Sequence, residues 1–374
     1  MPVSPRDLLV LSRVTAIGPA RLRALVSHFG DAASVARATP RQLIAVEGIE
    51  RKTASLIASF FRSGSMKEAE RFADDQLARL SRLGGAIISF WDREYPSLLK
   101  KTFDPPPFLF IRGNLEERDN LSLAVVGTRE PSPYGVQMTE RFASGLAGLG
   151  ITVVSGLARG IDTVAHGATL RAGHRTIAVI GSGLDIVYPT ENQGLAARIT
   201  SHGALLSEFP LGTKPDAVNF PRRNRIVSGM TLGTLVVETG PEGGAMITAH
   251  LAVEQSREVF AVPSSVSNKK SSGTNLLIKE GKAKLTETVD DILAELAPRL
   301  RGILPRETTP RREPQEALTL FEQRILDAMD DSPLHIDALA GRAGLAVSDA
   351  LVHLLALEFK GVVRQSAGKM FARI

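Results

Sequence analysis

The central part of the chain alternates short, continuous apolar runs with amphipathic stretches of helix length. Apolar strands without a polar face are typical of a parallel sheet that helices cover on both sides. The pattern therefore predicts an α/β core, an extended Rossmann-like, doubly wound parallel sheet. The predicted strands lie at residues 123–126, 152–154, 177–180, 204–206, 235–237 and 259–262.

The first part of the chain, residues 1–65, carries apolar residues at helical spacing. Two tight turns, at Gly18 and Gly48, each lead into a new helix, as in a helix-hairpin-helix (SAM-like) domain. Such a hairpin can offer backbone N–H groups to a DNA phosphate. A helical bundle used for packing or partner binding is the favoured alternative, because Glu50 stands where a second glycine is usual.

The predicted core domain spans residues 66–298 and opens with a helix at 67–83 and a strand at 86–90. Residues 299–317 are rich in Pro, Arg and Glu, which predicts an exposed linker. Residues 318–374 predict three helices and a hairpin around Gly368, the pattern of a winged helix. Its third helix is mostly apolar, which favours a protein-contact or structural role over base readout.

Composition narrows the choice of compartment and of partners. The chain has 374 residues, no cysteine and a net charge of +5, with 43% hydrophobic and 23% charged residues. The lack of cysteine excludes disulfides and thiolate metal sites and suits a reducing cytosol. No apolar run is long enough for a membrane span, so we expect a cytoplasmic protein without membrane contacts. Aromatic residues make up only 5% of the chain. This low fraction favours nucleic-acid binding through the sugar-phosphate backbone over base stacking.

Glycine-rich turns follow several predicted strands, and arginines accompany them. In an open α/β sheet these turns meet at the carboxyl ends of the strands, where ligands bind. Turn N–H groups and helix N-termini favour an anion there, and arginines supply forked donors. The sequence therefore predicts an anion-binding cleft whose cations include Arg129, Arg159, Arg223 and Arg225.

Motifs for nucleotide chemistry are missing. Gly181-Ser182-Gly183 lacks the third glycine of the dinucleotide fingerprint, and no Walker sequence occurs. The histidines lack metal-site spacing. We predict no catalytic residue, no metal and no cofactor. Two acidic pairs have other expected roles: Asp162 and Asp185 anchor loops, and Glu208 and Glu238 orient the arginines.

The ordered motifs resemble the DNA-processing protein A family, called DprA or Smf. They are Val126-Gly127-Thr128-Arg129, Ser155-Gly156-Leu157-Ala158-Arg159-Gly160-Ile161-Asp162 with Ala165-His166, Gly181-Ser182-Gly183-Leu184-Asp185 with Tyr188-Pro189, Phe220-Pro221-Arg222-Arg223-Asn224-Arg225-Ile226, and Gly273-Thr274-Asn275-Leu276-Leu277-Ile278. The resemblance implies a non-enzymatic, homodimeric protein that binds single-stranded DNA, protects incoming DNA in natural transformation and loads the RecA recombinase.

The resemblance also implies where DNA binds, namely in a basic pocket of the Rossmann-like domain. Together with the strand-end loops, it gives one set of candidate DNA-binding residues. The set is Gly127, Arg129, Ser155, Gly156, Arg159, Gly160, Gly181, Gly183, Arg222, Arg223, Asn224 and Arg225.

The chain departs from the family at Gly243-Gly244-Ala245, where the family commonly has Ser-Gly-Ser, and at Ser264, where glycine is frequent. The first change removes two hydroxyls that could contact phosphate. Two other functions stay open. One is a phosphoribohydrolase-type enzyme with Glu238 near the reacting centre; the other is a transcription regulator that acts through the winged helix.

Overall fold

The computed structural model describes residues 3–268, 271–300, 318–330, 333–360, 362–366 and 368–373. The chain forms two compact units, Met1–Ile303 and Leu304–Ile374. The predicted linker, 299–317, lies outside the described residues except for its first two positions, which belong to the last helix of the first unit.

Six helices form the first part of the larger unit. Proline opens three of them, α1, α2 and α4, where its missing N–H group costs nothing. Arg21 ties the two predicted hairpins together, since its guanidinium donates to the carbonyl oxygens of Ala16, at 3.1 Å, and Gly48, at 3.0 Å. The helices are α1 (Pro5–Ser12), α2 (Pro19–Phe29), α3 (Ala32–Arg37), α4 (Pro40–Ile44), α5 (Arg51–Arg62) and α6 (Ser65–Arg82).

A nine-stranded sheet, in the order β1-β2-β6-β5-β4-β3-β7-β8-β9, forms the centre of this unit. Strands β3 to β9 are parallel, whereas β1 and β2 form an antiparallel edge. The strands are β1 (Gly85–Ser89), β2 (Phe108–Gly113), β3 (Ser122–Val126), β4 (Thr152–Ser155), β5 (Thr176–Val179), β6 (Ala204–Ser207), β7 (Gly233–Val236), β8 (Glu258–Ala261) and β9 (Lys284–Leu285).

The predicted strands and the mainly parallel sheet are confirmed, but the sequence missed β2 and β9. Three prolines, at 105–107, stand directly before β2. They indicated a turn there, so the apolar run of β2 was not recognised as a strand. Strand β9 has two residues, both exposed, so it carries no apolar signal. The sheet is therefore mixed at one edge, not parallel throughout.

Helices cover both faces of the sheet, as a doubly wound fold requires. Helices α8, α9 and α14 pack through Phe142, Ile161 and Leu296 on one side. Helices α11 and α12 pack through Ile226 and Ala249 on the other. The helices are α7 (Ser97–Lys100), α8 (Pro133–Gly148), α9 (Ile161–Arg171), α10 (Gln193–His202), α11 (Asn219–Gly229), α12 (Gly244–Glu254), α13 (Ser272–Lys279) and α14 (Val289–Leu300).

A third apolar cluster joins the first helices to the sheet. It contains Leu25 and Ile57 together with Ala178 and Leu205 of strands β5 and β6. Buried apolar contacts therefore continue across the boundary predicted between residues 65 and 66. The domain boundaries themselves stay predictions.

The second unit has the predicted winged-helix pattern around Leu339, Leu354 and Phe371. Its elements are α15 (Leu320–Asp327), β10 (Leu334–His335), α16 (Ile336–Ala343), α17 (Val347–Phe359), β11 (Val363–Ser366) and β12 (Met370–Arg373). Within the described ranges, no single helix has the length and apolar composition to cross a bilayer. Only α16 and α17 taken together, with a bend of 102° between them, pass that test.

Candidate functional site

Two connected cavities lie where the chain direction through the sheet reverses. Strands β3 and β7 are neighbours, but β4, β5 and β6 follow on one side and β8 and β9 on the other. Open α/β sheets bind ligands at this switch point, outside the carboxyl ends of the strands. The wide chamber, of about 530 Å³, is lined by the loops after β3, β4 and β7 and by the first turns of α11 and α12, including Gly127, Thr128, Thr239, Gly240, Gly244 and Thr248.

The narrow slot adjoins this chamber and has a volume of only about 10 Å³. The loops after β3, β4 and β5 and the start of α11 enclose it. Its distinct lining residues are Arg159, Gly181, Ser182, Tyr188 and Pro189; the residues shared with the wide chamber are Arg129, Gly156, Ala158, Phe220 and Arg223. Together the chamber and the slot form the cleft.

The structure brings only part of the predicted set to the cleft. The lining residues from that set are Gly127, Arg129, Gly156, Arg159, Gly181, Arg223 and Asn224. The other predicted residues, Ser155, Gly160, Gly183, Arg222 and Arg225, do not line either cavity. Ser155 is fully buried, and its hydroxyl donates to the Val125 carbonyl at 2.6 Å.

The basic block is helical, and this separates its arginines. Arg223 points inward, where its guanidinium donates to the carbonyl oxygens of Gly156 and Val179. Arg225 turns away and pairs with Glu208. Arg222 is exposed and lies over the ring of Phe209, at 5.4 Å. Because successive residues on a helix are rotated by about 100°, neighbouring arginines cannot share one ligand face.

Arg223 supplies charge to the floor of the cleft, although its hydrogen-bond donors face protein atoms. Its side chain is buried, and burial lowers its pKa to about 10, so the guanidinium stays protonated at neutral pH. Asp162 lies nearby and accepts from the N–H groups of Gly156, at 3.1 Å, and Ala158, at 3.3 Å. Burial raises the pKa of Asp162. These two loop N–H groups are therefore occupied, not offered to an anion as the sequence suggested.

A row of two rings with a cation at each end borders the slot. Arg129 lies over the ring of Phe220 at 5.4 Å, and Arg159 lies over Tyr188 at 6.0 Å. The two rings are neighbours, with centroids 6.0 Å apart and planes tilted by 40°. We call these four residues, in the order Arg129, Phe220, Tyr188, Arg159, the rim. Phe220 and Tyr188 were not among the predicted site residues, although both stand in the quoted motifs.

At two of the predicted positions, Gly156 and Gly160, neighbouring atoms lie too close for a side chain. A Cβ atom at Gly156 would collide with the guanidinium of Arg223. Gly160 has a φ of +75°, and a Cβ atom there would collide with the Thr128 carbonyl oxygen. Both glycines therefore allow the loops of the cleft to approach each other closely.

Four acidic residues were predicted to anchor loops or to orient arginines. Asp162 anchors its loop as expected, and Asp185 does so through Arg79, at 2.6 Å, and the Gly212 N–H group, at 2.9 Å. Glu208 orients Arg225. The prediction for Glu238 was wrong. Its carboxylate is buried, accepts from the Ser132 N–H group at 2.8 Å, and lines neither cavity, so it is also not placed for a reacting centre.

Family models match three parts of the chain. The model described as DNA recombination-mediator protein A matches residues 86–297. The DprA winged helix domain matches residues 309–369, and a SAM-like helix-hairpin-helix tandem matches residues 8–63.

Similar proteins carry the same names. Protein Smf of Synechocystis sp. is 34% identical, with 98% of each chain covered. Protein Smf of Escherichia coli is 38% identical over 81% of this chain and 83% of its own. DNA processing protein DprA of Bacillus subtilis is 41% identical over 60% of this chain and 75% of its own.

Two solved structures share the fold. The X-ray structure of DprA from Streptococcus pneumoniae has a TM-score of 0.66 and 32% identity, and covers 79% of this chain and 99% of its own. The structure describing a single-stranded DNA binding mode of DprA from Helicobacter pylori has a TM-score of 0.52 and 29% identity. The match covers 57% of this chain and 96% of that structure's chain.

Proposed function

Because this chain belongs to the DNA recombination-mediator protein A family, called DprA or Smf, we propose that it binds single-stranded DNA in the cleft. The observation that carries the proposal is the rim. Cations at both ends can contact phosphates, and two rings between them can stack on bases. The structure of DprA from Helicobacter pylori, which describes a single-stranded DNA binding mode, supports the same ligand class.

Single strands suit this rim better than duplex DNA. The base faces of a duplex are stacked on one another, so the rings of Tyr188 and Phe220 would find no free partner. An unpaired strand exposes its bases for stacking while its phosphates follow the cations. Arg129 is the rim cation best placed for a phosphate, since it is exposed and no ion pair to it occurs within the described residues.

The first test measures fluorescence anisotropy of labelled oligo-dT and of its duplex form with three proteins. We expect wild type to prefer the single strand, and Arg129→Ala to weaken that binding about tenfold because a charge-assisted contact is lost. Arg171→Ala is the matched control, since Arg171 is an exposed helix arginine paired with Glu140 outside the cleft. Equal binding by all three proteins would refute the proposed site.

A second variant separates stacking from charge. Phe220→Leu keeps an apolar side chain at the rim but removes the ring, so we expect a loss of about 1–3 kcal/mol in oligo-dT binding. The salt dependence should stay that of wild type, because no cation changes. Unchanged affinity would show that the bases do not stack here.

The finer family properties are proposals as well. We propose that the protein is a cytoplasmic, non-enzymatic homodimer, joined through its Rossmann-like domain, that protects incoming DNA and loads RecA onto the bound strand. Membership in a family of DNA recombination mediators supports this role. Light scattering tests the dimer, and RecA filament formation on strands coated with single-strand-binding protein tests the loading. No gain in filament formation would refute it.

A further inference from the structure

Glu191 stands at the end of the rim and holds Arg159 in a two-point ion pair. Arg159 Nε lies 2.6 Å from Glu191 Oε1, and Nη2 lies 3.0 Å from Oε2. Arg159 also lies over the Tyr188 ring. The carboxylate therefore fixes the last cation of the rim, together with the ring beneath it.

The side chain of a neighbouring residue anchors the turn that carries Glu191. Its neighbour Asn192 is buried and donates to the Leu157 carbonyl, at 3.0 Å, and to the Thr163 hydroxyl, at 2.9 Å. These bonds join the short turn that carries Glu191 to the loop and helix that flank Arg159. The ion pair thus links two segments that already lie together, although both of its side chains are about half exposed.

The slot behind this rim is too small for a nucleotide. Its volume of about 10 Å³ is only enough for about one water molecule. A phosphate or a base can enter only if Arg159 and Tyr188 move apart from Phe220 and Arg129. Because Asn192 anchors the turn that carries Glu191, movement of Arg159 away from that turn breaks its two contacts with Glu191.

We infer that Glu191 is a latch on the slot, an affinity-determining residue that a DNA phosphate displaces from Arg159. The inference rests on the proposed function, because it takes the ligand to be a single strand. Carboxylate and phosphate both favour the forked donor edge of a guanidinium, so they compete for it. Glu191 therefore lowers the affinity for DNA and keeps the slot closed when no strand is present.

Glu191→Gln is the direct test, because it keeps the size of the side chain and removes its charge. We expect the affinity for oligo-dT to rise by about two- to fivefold, the worth of an exposed ion pair. The log–log salt slope should stay close to that of wild type, because Arg159 contacts a phosphate in both complexes once Glu191 is displaced. Glu140→Gln is the matched control: it removes the same charge from the Arg171 pair, outside the cleft.

A double-mutant cycle shows whether the gain acts through Arg159. In an Arg159→Ala background, Glu191→Gln should give no gain, because the competing donor is absent. An equal gain in that background would mean a general charge effect and would overturn the latch. A loss of affinity in the single variant would also overturn it, since Glu191 would then position Arg159 for DNA.

Hydrogen exchange of the free protein tests the latch in the absence of DNA. Glu191→Gln should speed exchange of backbone amides in residues 156–160 and 188–192, and Glu140→Gln should not. Unchanged exchange would overturn the latch. Wild type that binds no oligo-dT would refute the proposed function instead, so the two failures are distinguishable.

Discussion

Arg225 and Glu208 form a buried ion pair on the side of α11 that faces away from the cleft. Their side chains are 16% and 8% exposed, and Arg225 also donates to the Asp104 carbonyl at 2.5 Å. Burial raises the pKa of Glu208 even beside this arginine. The pair therefore ties α11 to its surroundings, and its loss would leave a buried carboxylate without its partner.

Arg225→Ala should consequently act on stability and not on DNA binding. We expect the free energy of unfolding to fall by about 3–5 kcal/mol, the usual cost of breaking one side of a buried pair. Chemical denaturation measures this loss, and Arg171→Ala, in an exposed pair, should change it little. If folded Arg225→Ala protein instead loses oligo-dT affinity at unchanged stability, the original assignment of Arg225 to DNA is correct.

His166 is a buried neutral histidine whose tautomer the hydrogen bonds define. The Thr176 hydroxyl donates to the Val153 carbonyl at 2.7 Å, so it accepts from His166 Nδ1, also at 2.7 Å. Nε2 is buried without a hydrogen-bond partner among the described residues. Burial, and then the charge of Arg223, lower the His166 pKa to about 3.

This pKa makes the protein sensitive to acid. Between pH 6.5 and 3 the unfolded chain binds a proton at His166 that the folded chain does not, so stability falls as the pH falls. From pH 7.5 to 5.0 this residue should remove about 2 kcal/mol of stability. His166→Asn, whose amide N–H can donate in place of Nδ1, should remove that part of the loss in urea denaturation. His202→Asn, at an exposed histidine, should leave it unchanged.

At the scale of elements, the position of Pro221 is compatible with a helical basic block. Pro221 stands in the first turn of α11, where no intrahelical partner for its missing N–H group exists. The helix then places Arg223 below the cleft, and it places Arg225 where it pairs with Glu208. The helix also places Phe220 at the rim.

The loop between β4 and α9 depends on Gly160 for its approach to the neighbouring loop. Gly160→Ala should destabilise the protein and weaken oligo-dT binding, because a Cβ atom would push the Thr128–Arg129 backbone away. Gly173→Ala is the control: its φ is +77°, but a Cβ atom there meets nothing within 4 Å. It should cost only the conformational penalty of about 1–2 kcal/mol, without loss of DNA binding. Equal effects on DNA binding would refute the close-approach argument.

The third helix of the winged helix is poorly suited to a DNA groove. Helix α17, Val347–Phe359, contains no lysine or arginine but does contain Asp349 and Glu358. Several of its apolar side chains are exposed, including Leu351 and Val352. A groove-reading helix needs donors and positive charge, so α17 speaks against the transcription-regulator alternative.

At the scale of the whole molecule, the distribution of arginines matters more than the net charge of +5. Arg129, Arg159 and Arg222 are the exposed arginines at or beside the cleft. Three phosphate contacts at about −0.7 each predict a log–log salt slope near −2, so oligo-dT affinity should fall about twentyfold between 50 and 200 mM salt. Anisotropy titrations measure the slope. A slope near zero would contradict binding to the DNA backbone, and Arg171→Ala should leave the slope as in wild type.

The sequence by itself determined the fold class, the family and the edge of the sheet that carries the cleft. Apolar runs report burial, and glycine turns report backbone conformation, and both are local properties of the chain. Seven strands of the sheet, the winged-helix pattern and the loops at Gly127, Gly156 and Gly181 were therefore predictable.

Only the tertiary structure decided what each side chain does there. The Arg225–Glu208 pair, the ring pair of Tyr188 and Phe220, and the latch contact of Arg159 with Glu191 join residues 17 to 32 positions apart. Which of these meet depends on strand order and on the rotation of α11, and no local pattern records either. The antiparallel edge was not predicted for the same reason, because strand pairing joins residues that are far apart in the sequence.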